Sequence, residues 1–190
     1  MGAGGAPLGL GGAARWGRDV LRGPDGRSGG ALGRVSPPPA PEVPGLERHI
    51  RDRDHDVPRR DGIGGAHNAE AFEQALRDTG AMVVSRIPDP NVPGVTHIEY
   101  RIPALDRIGQ PTGEFRRQAI PKTVYDPTVI SDEEMMRWGR EAAAQAQQAN
   151  GGTLPNRWDG ETAAGIRIRG YADPAGSVRS FHPRGLQADD

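Results

Sequence analysis

A single lysine is the residue whose type and neighbours most strongly indicate chemistry. Lys122 stands alone against 23 arginines in a chain of 190 residues. Arginine replaces lysine at most solvated positions, whereas a compact ammonium with a tunable pKa differs from a planar guanidinium. Chance retention of one lysine is the ordinary alternative. The polar neighbours Thr123, Tyr125 and Asp126 favour a polar site around Lys122.

Three histidines, His67, His97 and His182, supply candidate proton-transfer groups in the last two thirds of the chain. Imidazole exchanges protons near neutral pH because its reference pKa is about 6.5. Cleavage of RNA without a metal needs a base for the 2′-hydroxyl, an acid for the leaving 5′-oxygen and a cation beside the phosphorane. Two histidines and Lys122 meet that need. The ordinary alternatives are a loop position for His67 and a surface position for His97.

Composition argues against several other kinds of site. The chain has no cysteine, which excludes a disulfide, a thiolate nucleophile and a cysteine-ligated zinc. It contains no His-x-His pair, no Gly-x-Ser-x-Gly elbow and no phosphate-binding Gly-Lys-Ser/Thr loop, so we predict neither a metal nor another cofactor. A net charge of -1 excludes a strongly basic surface but leaves room for a small phosphate site. No apolar stretch reaches the ~18–20 residues of a membrane helix, so we predict no membrane insertion.

The elements that must position these residues lie in the second part of the chain. Residues 1–60 are rich in Gly, Pro and Arg, which predicts a disordered linker ending in a solvated, charged spacer. His49 and His55 fall in that spacer, and the sequence assigns them no role. Residues 61–185 carry clear punctuation and are predicted to form one domain.

Residues 69–79 show helical spacing between the candidate cap Asn68 and Gly80. A second helix is predicted from the capping box at Ser131 to about residue 149. Strands are predicted at 81–87, 95–102, 114–124, 165–172 and 177–182. The predicted fold class is α+β, an antiparallel β-sheet with two packed helices.

The last two strands are predicted to form a hairpin with one polar face. With Ala172 opposite Ser177, Arg169 pairs with Ser180 and Arg167 pairs with His182. An ordinary solvated face is the alternative to a binding face.

Short motifs along the chain resemble a known family. In order they are Gly65-Ala66-His67-Asn68 with Phe72, Pro93-Gly94-Val95, the stretches 98–103, 106–113, 122–127 and 130–133, Gly170-Tyr171, and Phe181-His182-Pro183. Together they resemble the C-terminal toxin domains of bacterial polymorphic toxins, including contact-dependent growth inhibition proteins of the CdiA type. The resemblance covers about residues 62–183, and the ordered series is more specific than any single motif.

The resemblance implies a secreted effector domain, the C-terminal part of a larger protein, which acts in the cytoplasm of a competitor cell. It implies a cognate immunity protein and an RNase of the EndoU-like or barnase/colicin/RelE-like group, with tRNA among the candidate substrates. By motif match His67, Lys122 and His182 would be catalytic, and Thr123, Tyr125, Arg169 and Ser180 would bind substrate. Ala66 departs from the expected Gly-Gly-His and could shift His67 within its loop.

We therefore predict a metal-independent endoribonuclease that forms a 2′,3′-cyclic phosphate. The alternatives are a non-catalytic partner-binding module and a toxin nuclease acting on DNA. Convergence of His67, His182 and Lys122 within ~10 Å, roughly the reach needed to hold one phosphodiester, would favour the nuclease over the binding module.

Overall fold

The computed structural model describes residues 38–55 and 61–185. Within them are three helices and eight strands. In chain order the elements are α1 (Leu46–Arg51), α2 (Ala69–Thr79), β1 (Met82–Pro88), β2 (Val95–Arg101), β3 (Pro103–Leu105), β4 (Pro111–Phe115), β5 (Ile120–Tyr125), α3 (Asp132–Ala149), β6 (Arg157–Glu161), β7 (Arg167–Ala172) and β8 (Val178–Pro183). None of the described helices combines the length and apolar character needed to cross a membrane.

The strands pair antiparallel throughout, which confirms the α+β class. Two sheets have three strands each, in the orders β1-β2-β5 and β6-β7-β8, and β3 pairs with β4 in a separate ribbon. The sequence suggested one sheet, and two differences explain the discrepancy. Residues 116–119 separate β4 from β5, and β6 is a strand that the sequence reading missed.

Each three-stranded sheet packs on one helix. Helix α2 covers β1-β2-β5 through Phe72 and Leu76, which contact Ile98 and Tyr100 in one buried cluster. Helix α3 covers β6-β7-β8 with a face of small residues, and a Cβ on Gly139 would lie 2.2 Å from the Phe181 ring. The small face lets the helix backbone approach the sheet closely, so a larger side chain there would be overpacked.

The predicted helix boundaries are confirmed by their caps. The Asn68 side chain accepts hydrogen bonds from the amides of Glu70 and Ala71, and Gly80 ends α2 in the left-handed conformation at φ 66°. The Ser131 hydroxyl accepts from the amide of Glu134 at the start of α3. Side-chain caps satisfy amides that the helix itself leaves unpaired, and for that reason they mark helix ends in sequence.

The prediction that residues 1–60 form a disordered linker is wrong for residues 38–55. Leu46 and Ile50 of α1 are 2% and 1% exposed. Before α1 the Val43 amide donates to the Val178 carbonyl oxygen, and the Val178 amide donates to the Pro41 carbonyl oxygen. The average composition of the segment is polar, but the i, i+4 spacing of Leu46 and Ile50 places both on one helical face. Residues 1–37 and 56–60 lie outside the described residues, and the proposed domain division remains a prediction.

The predicted register of the last hairpin is also wrong. The structure pairs Tyr171 with Ser180 and Arg169 with His182, with a register shift between Tyr171 and Ala172. The predicted partners differ by two positions, because the sequence gives no sign of the irregularity. A shift of two keeps every side chain on its face, so the predicted polar face survives.

Candidate active site

A cavity of about 580 Å³ is lined by residues of both three-stranded sheets, and we call it the central cavity. Strand β5 contributes Lys122 and Thr123, strand β8 contributes Ser180 and His182, and the loop before α2 contributes His67. Two sheet edges and one loop therefore bring the principal predicted residues into one site.

His67 is placed by a crowded loop with unusual backbone geometry. Gly65 and Ala66 both have positive φ, 61° and 52°, and a Cβ on Gly65 would lie 2.4 Å from the carbonyl oxygen of Asp52. Ala66 therefore occupies a position that favours glycine and is fully buried, yet His67 still lines the cavity. His67 Nδ1 donates to the Thr123 carbonyl oxygen at 2.9 Å, which leaves Nε2 unprotonated in the neutral ring.

Lys122 lines the same cavity as the two predicted histidines. Its ammonium donates hydrogen bonds to the carbonyl oxygens of Gly65 and, at 3.5 Å, of Ile63. Burial lowers the pKa of Lys122 to about 7, against the opposing attraction of Asp54. A lysine with that pKa can change its charge near neutral pH and so respond to an anion.

His182 stacks against His67, with ring centroids 5.8 Å apart and an angle of 9° between planes. Its Nδ1 donates to the Pro183 carbonyl oxygen at 2.9 Å. Burial lowers the pKa of His182 to about 4, with a further contribution from the charge of Lys122. Burial and then Lys122 and His182 lower the pKa of His67 well below its usual range. The lowered pKa values keep both rings neutral at pH 7.

Three further predicted residues also reach the cavity. The Ser180 hydroxyl hydrogen-bonds to the imidazole of His49 at 2.9 Å, and the Thr123 hydroxyl hydrogen-bonds to the imidazole of His97 at 3.1 Å. Arg169 forms a two-pronged ion pair with Asp159 at 2.9 and 3.1 Å. The pairing orients the guanidinium at the cavity wall, where it can offer hydrogen bonds to an anion.

A match to a known family covers the residues that line this cavity from position 52 onward. The sequence pattern of the bacterial EndoU nuclease family matches residues 52–185, which make up most of the chain. The chain belongs to the bacterial EndoU nuclease family. This confirms the predicted resemblance and favours the EndoU-like group over the other RNase group.

Two relatives of this EndoU domain carry the name tRNA nuclease CdiA. The chain is 36% identical over 130 residues to the protein of Escherichia coli strain STEC_O31 and 34% identical over 123 residues to that of Yersinia mollaretii. The alignments cover 66% and 64% of this chain. The chain spans about 4% of the length of each relative.

The EndoU domain has a histidine in its cavity that sequence reasoning missed. His49 at α1 hydrogen-bonds through Nδ1 to Asp54 Oδ2 at 2.7 Å and through Nε2 to Ser180 Oγ at 2.9 Å. Its ring centroid lies 6.0 Å from that of His67. The available signal was an acid five residues after a histidine, next to an apolar i, i+4 pair within the charged run.

Tyr125 is the predicted site residue that the structure does not bring into the cavity. It is 1% exposed, and its hydroxyl donates to Asp132 Oδ1 at 2.7 Å. Burial and the neighbouring Asp132 carboxylate raise its pKa. Tyr171 occupies the cavity wall instead, with its ring 6.4 Å from that of His182.

A further histidine, His97, lines the cavity of the EndoU domain. His97, a predicted surface residue, hydrogen-bonds to buried Asp89 at 2.8 Å and to Thr123 at 3.1 Å.

Among residues 38–55 and 61–185, no group of three or more His, Asp or Glu side chains has a geometry that could hold a metal ion.

Proposed function

We propose that this EndoU domain is a metal-independent endoribonuclease toxin that cleaves RNA through attack of a 2′-hydroxyl on the adjacent phosphate. One observation carries the proposal: the rings of His49 and His182 lie 6.0 and 5.8 Å from that of His67 in the cavity that Lys122 also lines. The chemistry needs a base, an acid and a cation around one phosphodiester. Side chains alone provide all three.

His67 is the proposed general base. Its Nδ1 proton is committed to the Thr123 carbonyl oxygen, so the unprotonated Nε2 can accept the proton of the 2′-hydroxyl. Its lowered pKa keeps it neutral at pH 7, as a base requires.

His49 is the proposed general acid, whereas the sequence prediction made His67 and His182 the base and the acid in an unassigned order. The Asp54 carboxylate accepts the hydrogen of Nδ1 and so orients the ring, and a proton on Nε2, which faces Ser180, can pass to the leaving 5′-oxygen. His182 lacks such a partner on Nδ1, which donates to a backbone carbonyl. We assign His182 to substrate contact through its stacked, neutral ring.

Lys122 is proposed to stabilise the phosphorane. Approach of a phosphate anion raises the pKa of a partly neutral lysine, so Lys122 gains charge as negative charge builds on the substrate. Ser180 and Arg169 are placed to hold the non-bridging oxygens.

We further propose tRNA as the substrate class, because both relatives are named tRNA nuclease. Their CdiA name and the motif resemblance support delivery of the domain as the C-terminal part of a larger secreted effector. The site of action would be the cytoplasm of the target cell. A cognate immunity protein in the producing cell is part of the same proposal.

The test is incubation of the purified full-length protein with total cellular RNA in EDTA. We expect cleavage that leaves 2′,3′-cyclic phosphate ends, identified by mass spectrometry. Lys122→Ala, His67→Ala and His49→Ala should each lose at least ~100-fold of the rate, the usual contribution of one acid, base or charge-stabilising group.

His55→Ala is the matched control, since His55 is exposed and lies outside the cavity lining. Circular dichroism melts show whether each variant is folded. Intact RNA with the folded wild-type protein would overturn the proposal, and cleavage only after addition of Mg²⁺ would overturn its metal-independent part.

A further inference from the structure

The central cavity includes one face of the β1-β2-β5 sheet. Two rows of cross-strand partners form this face, and directly opposite residues in a sheet lie on the same side. We call it the outer strand face, and its members are Ser85, Glu99 and Pro121 in one row and Ile87, His97 and Thr123 in the other. All six line the cavity. The proposed cleavage chemistry uses none of these six side chains.

A chain of hydrogen bonds orients the Thr123 hydroxyl on this face. Burial raises the pKa of Asp89, but hydrogen bonds from His97 and from the amides of Asn91 and Val92 outweigh it, so the pKa is lowered and the group is a carboxylate. A carboxylate only accepts, so the hydrogen between Asp89 and His97 belongs to His97 Nε2. In the neutral ring Nδ1 is then the acceptor, and the Thr123 hydroxyl donates to it.

Two contacts hold this arrangement in place. The Asp89 side chain is 2% exposed and also binds the backbone amides of Asn91 and Val92, at 2.8 and 3.1 Å. The backbone of Gly185 lies against the His97 ring so closely that a Cβ there would be 2.2 Å from Cε1. His97 is therefore held from both sides, and with a neutral His97 ring Thr123 presents its oxygen lone pairs without a free proton.

Glu99 adds a second acceptor to the same face. Its Oε2 accepts from the Ser85 hydroxyl at 3.3 Å. Ile87, which is 59% exposed, and Pro121 add apolar surface. The six side chains include no lysine or arginine and together offer acceptors and apolar area, which fits a nucleobase rather than a phosphate.

We propose that the outer strand face binds a nucleobase of the RNA substrate that carries an exocyclic amine, with Thr123 and Glu99 accepting its N–H hydrogens. Asp89 and His97 are positioning residues that keep Thr123 an acceptor. The proposal rests on the proposed function for the identity of the ligand, and it assigns the predicted substrate contact of Thr123 to the base. The exocyclic amine of adenine, cytosine or guanine has two hydrogens for these two acceptors, whereas uracil has the single N3–H donor and its O4 carbonyl would face lone pairs.

The test compares the affinities of the full-length protein for cytidine 3′-monophosphate and uridine 3′-monophosphate. Both affinities are measured by NMR titration at pH 8. Neither ligand contains a scissile bond, so the measurement does not depend on cleavage. We expect the cytidine ligand to bind about tenfold tighter, the size of one good base-edge contact. Thr123→Val should remove the difference.

Two substitutions of His97 separate positioning from simple structural support. Asparagine places its amide oxygen near the site of Nδ1 and can still accept from Thr123, whereas glutamine reaches toward Asp89 and leaves Thr123 free to rotate. We therefore expect His97→Asn to keep the discrimination and His97→Gln to lose it. His55→Gln, a substitution at an exposed histidine, is the matched control.

Several results would overturn the proposal. These are equal binding of the two ligands by the wild-type protein, unchanged discrimination in Thr123→Val, identical behaviour of the two His97 variants, or ¹⁵N spectra that place the His97 proton on Nδ1. A 2′-deoxycytidine ligand that binds more weakly, with the loss abolished by Thr123→Val, would assign Thr123 to the ribose and also overturn it. Retained discrimination in a protein that cuts no RNA would support the base site while the proposed function fails.

Discussion

Replacing Lys122 by methionine should stabilise the protein while abolishing its activity. Burial lowers the pKa of this lysine from 10.5 to about 7. At about 1.4 kcal/mol for each pKa unit, the folded protein disfavours the charged form by about 5 kcal/mol. Lys122 keeps partial exposure toward the cavity, and methionine loses the hydrogen bonds to the carbonyls of Gly65 and Ile63, each worth about 1 kcal/mol. We expect a net gain of about 1–3 kcal/mol.

The change in unfolding free energy caused by Lys122→Met depends on pH. Below pH 7 the lysine is charged in both states, and the folded protein carries the full penalty. Between pH 7 and pH 10.5 the unfolded chain binds more protons, so the stability of the wild-type protein rises and the advantage of Lys122→Met shrinks. Above pH 10.5 the penalty is absent.

The assay is urea denaturation of both proteins at pH 6 and at pH 10, followed by circular dichroism. Arg107→Met, which removes an exposed charge, is the control and should change the unfolding free energy by less than about 0.5 kcal/mol. A methionine variant that is equally destabilised at both pH values would refute the reasoning, because it would mean that the ammonium is well solvated or strongly paired in the cavity.

Three other predictions test the fold and the site. Gly139→Ala should destabilise the protein by about 1–3 kcal/mol in urea denaturation, because its Cβ would meet the buried Phe181 ring at 2.2 Å; an unchanged midpoint would contradict the close packing of α3. Tyr125→Phe should cost about 1–3 kcal/mol through loss of the hydrogen bond to Asp132 and leave the RNA cleavage rate unchanged; a slower rate without loss of stability would return Tyr125 to the site. The pKa of His182 is about 4 in the folded protein and about 6.5 in the unfolded chain, so stability should fall as the pH drops from 6.5 to 4. His182→Phe should flatten that fall in melts across the range, and an unaltered slope would show that this ring is solvated.

Local chemistry made several elements predictable. Asn68 and Ser131 satisfy backbone amides at helix starts, and Gly80 supplies a left-handed stop, so both long helices are visible in the sequence. The period of two in strands placed Arg169 and His182 on one face even though the predicted register was wrong.

Other features depend on partners far away in the chain. His49 and Tyr125 show the two directions of error. His49 looks like part of a charged spacer until α1 packs and Ser180, 131 residues later, meets its ring. Tyr125 looks like a site residue because it follows Lys122 and Thr123, but its hydroxyl turns to Asp132 in the core.

The sequence by itself determined the fold class, the helix ends, the family resemblance and the selection of His67, Lys122 and His182 as candidate groups, because these follow from local pattern and residue type. Only the tertiary structure decided the surroundings of those groups. The depressed pKa of Lys122 comes from burial, and the direction of the Thr123 hydroxyl comes from Asp89 through His97. Burial and hydrogen-bond direction depend on which distant segments meet, and a linear pattern carries no record of those meetings.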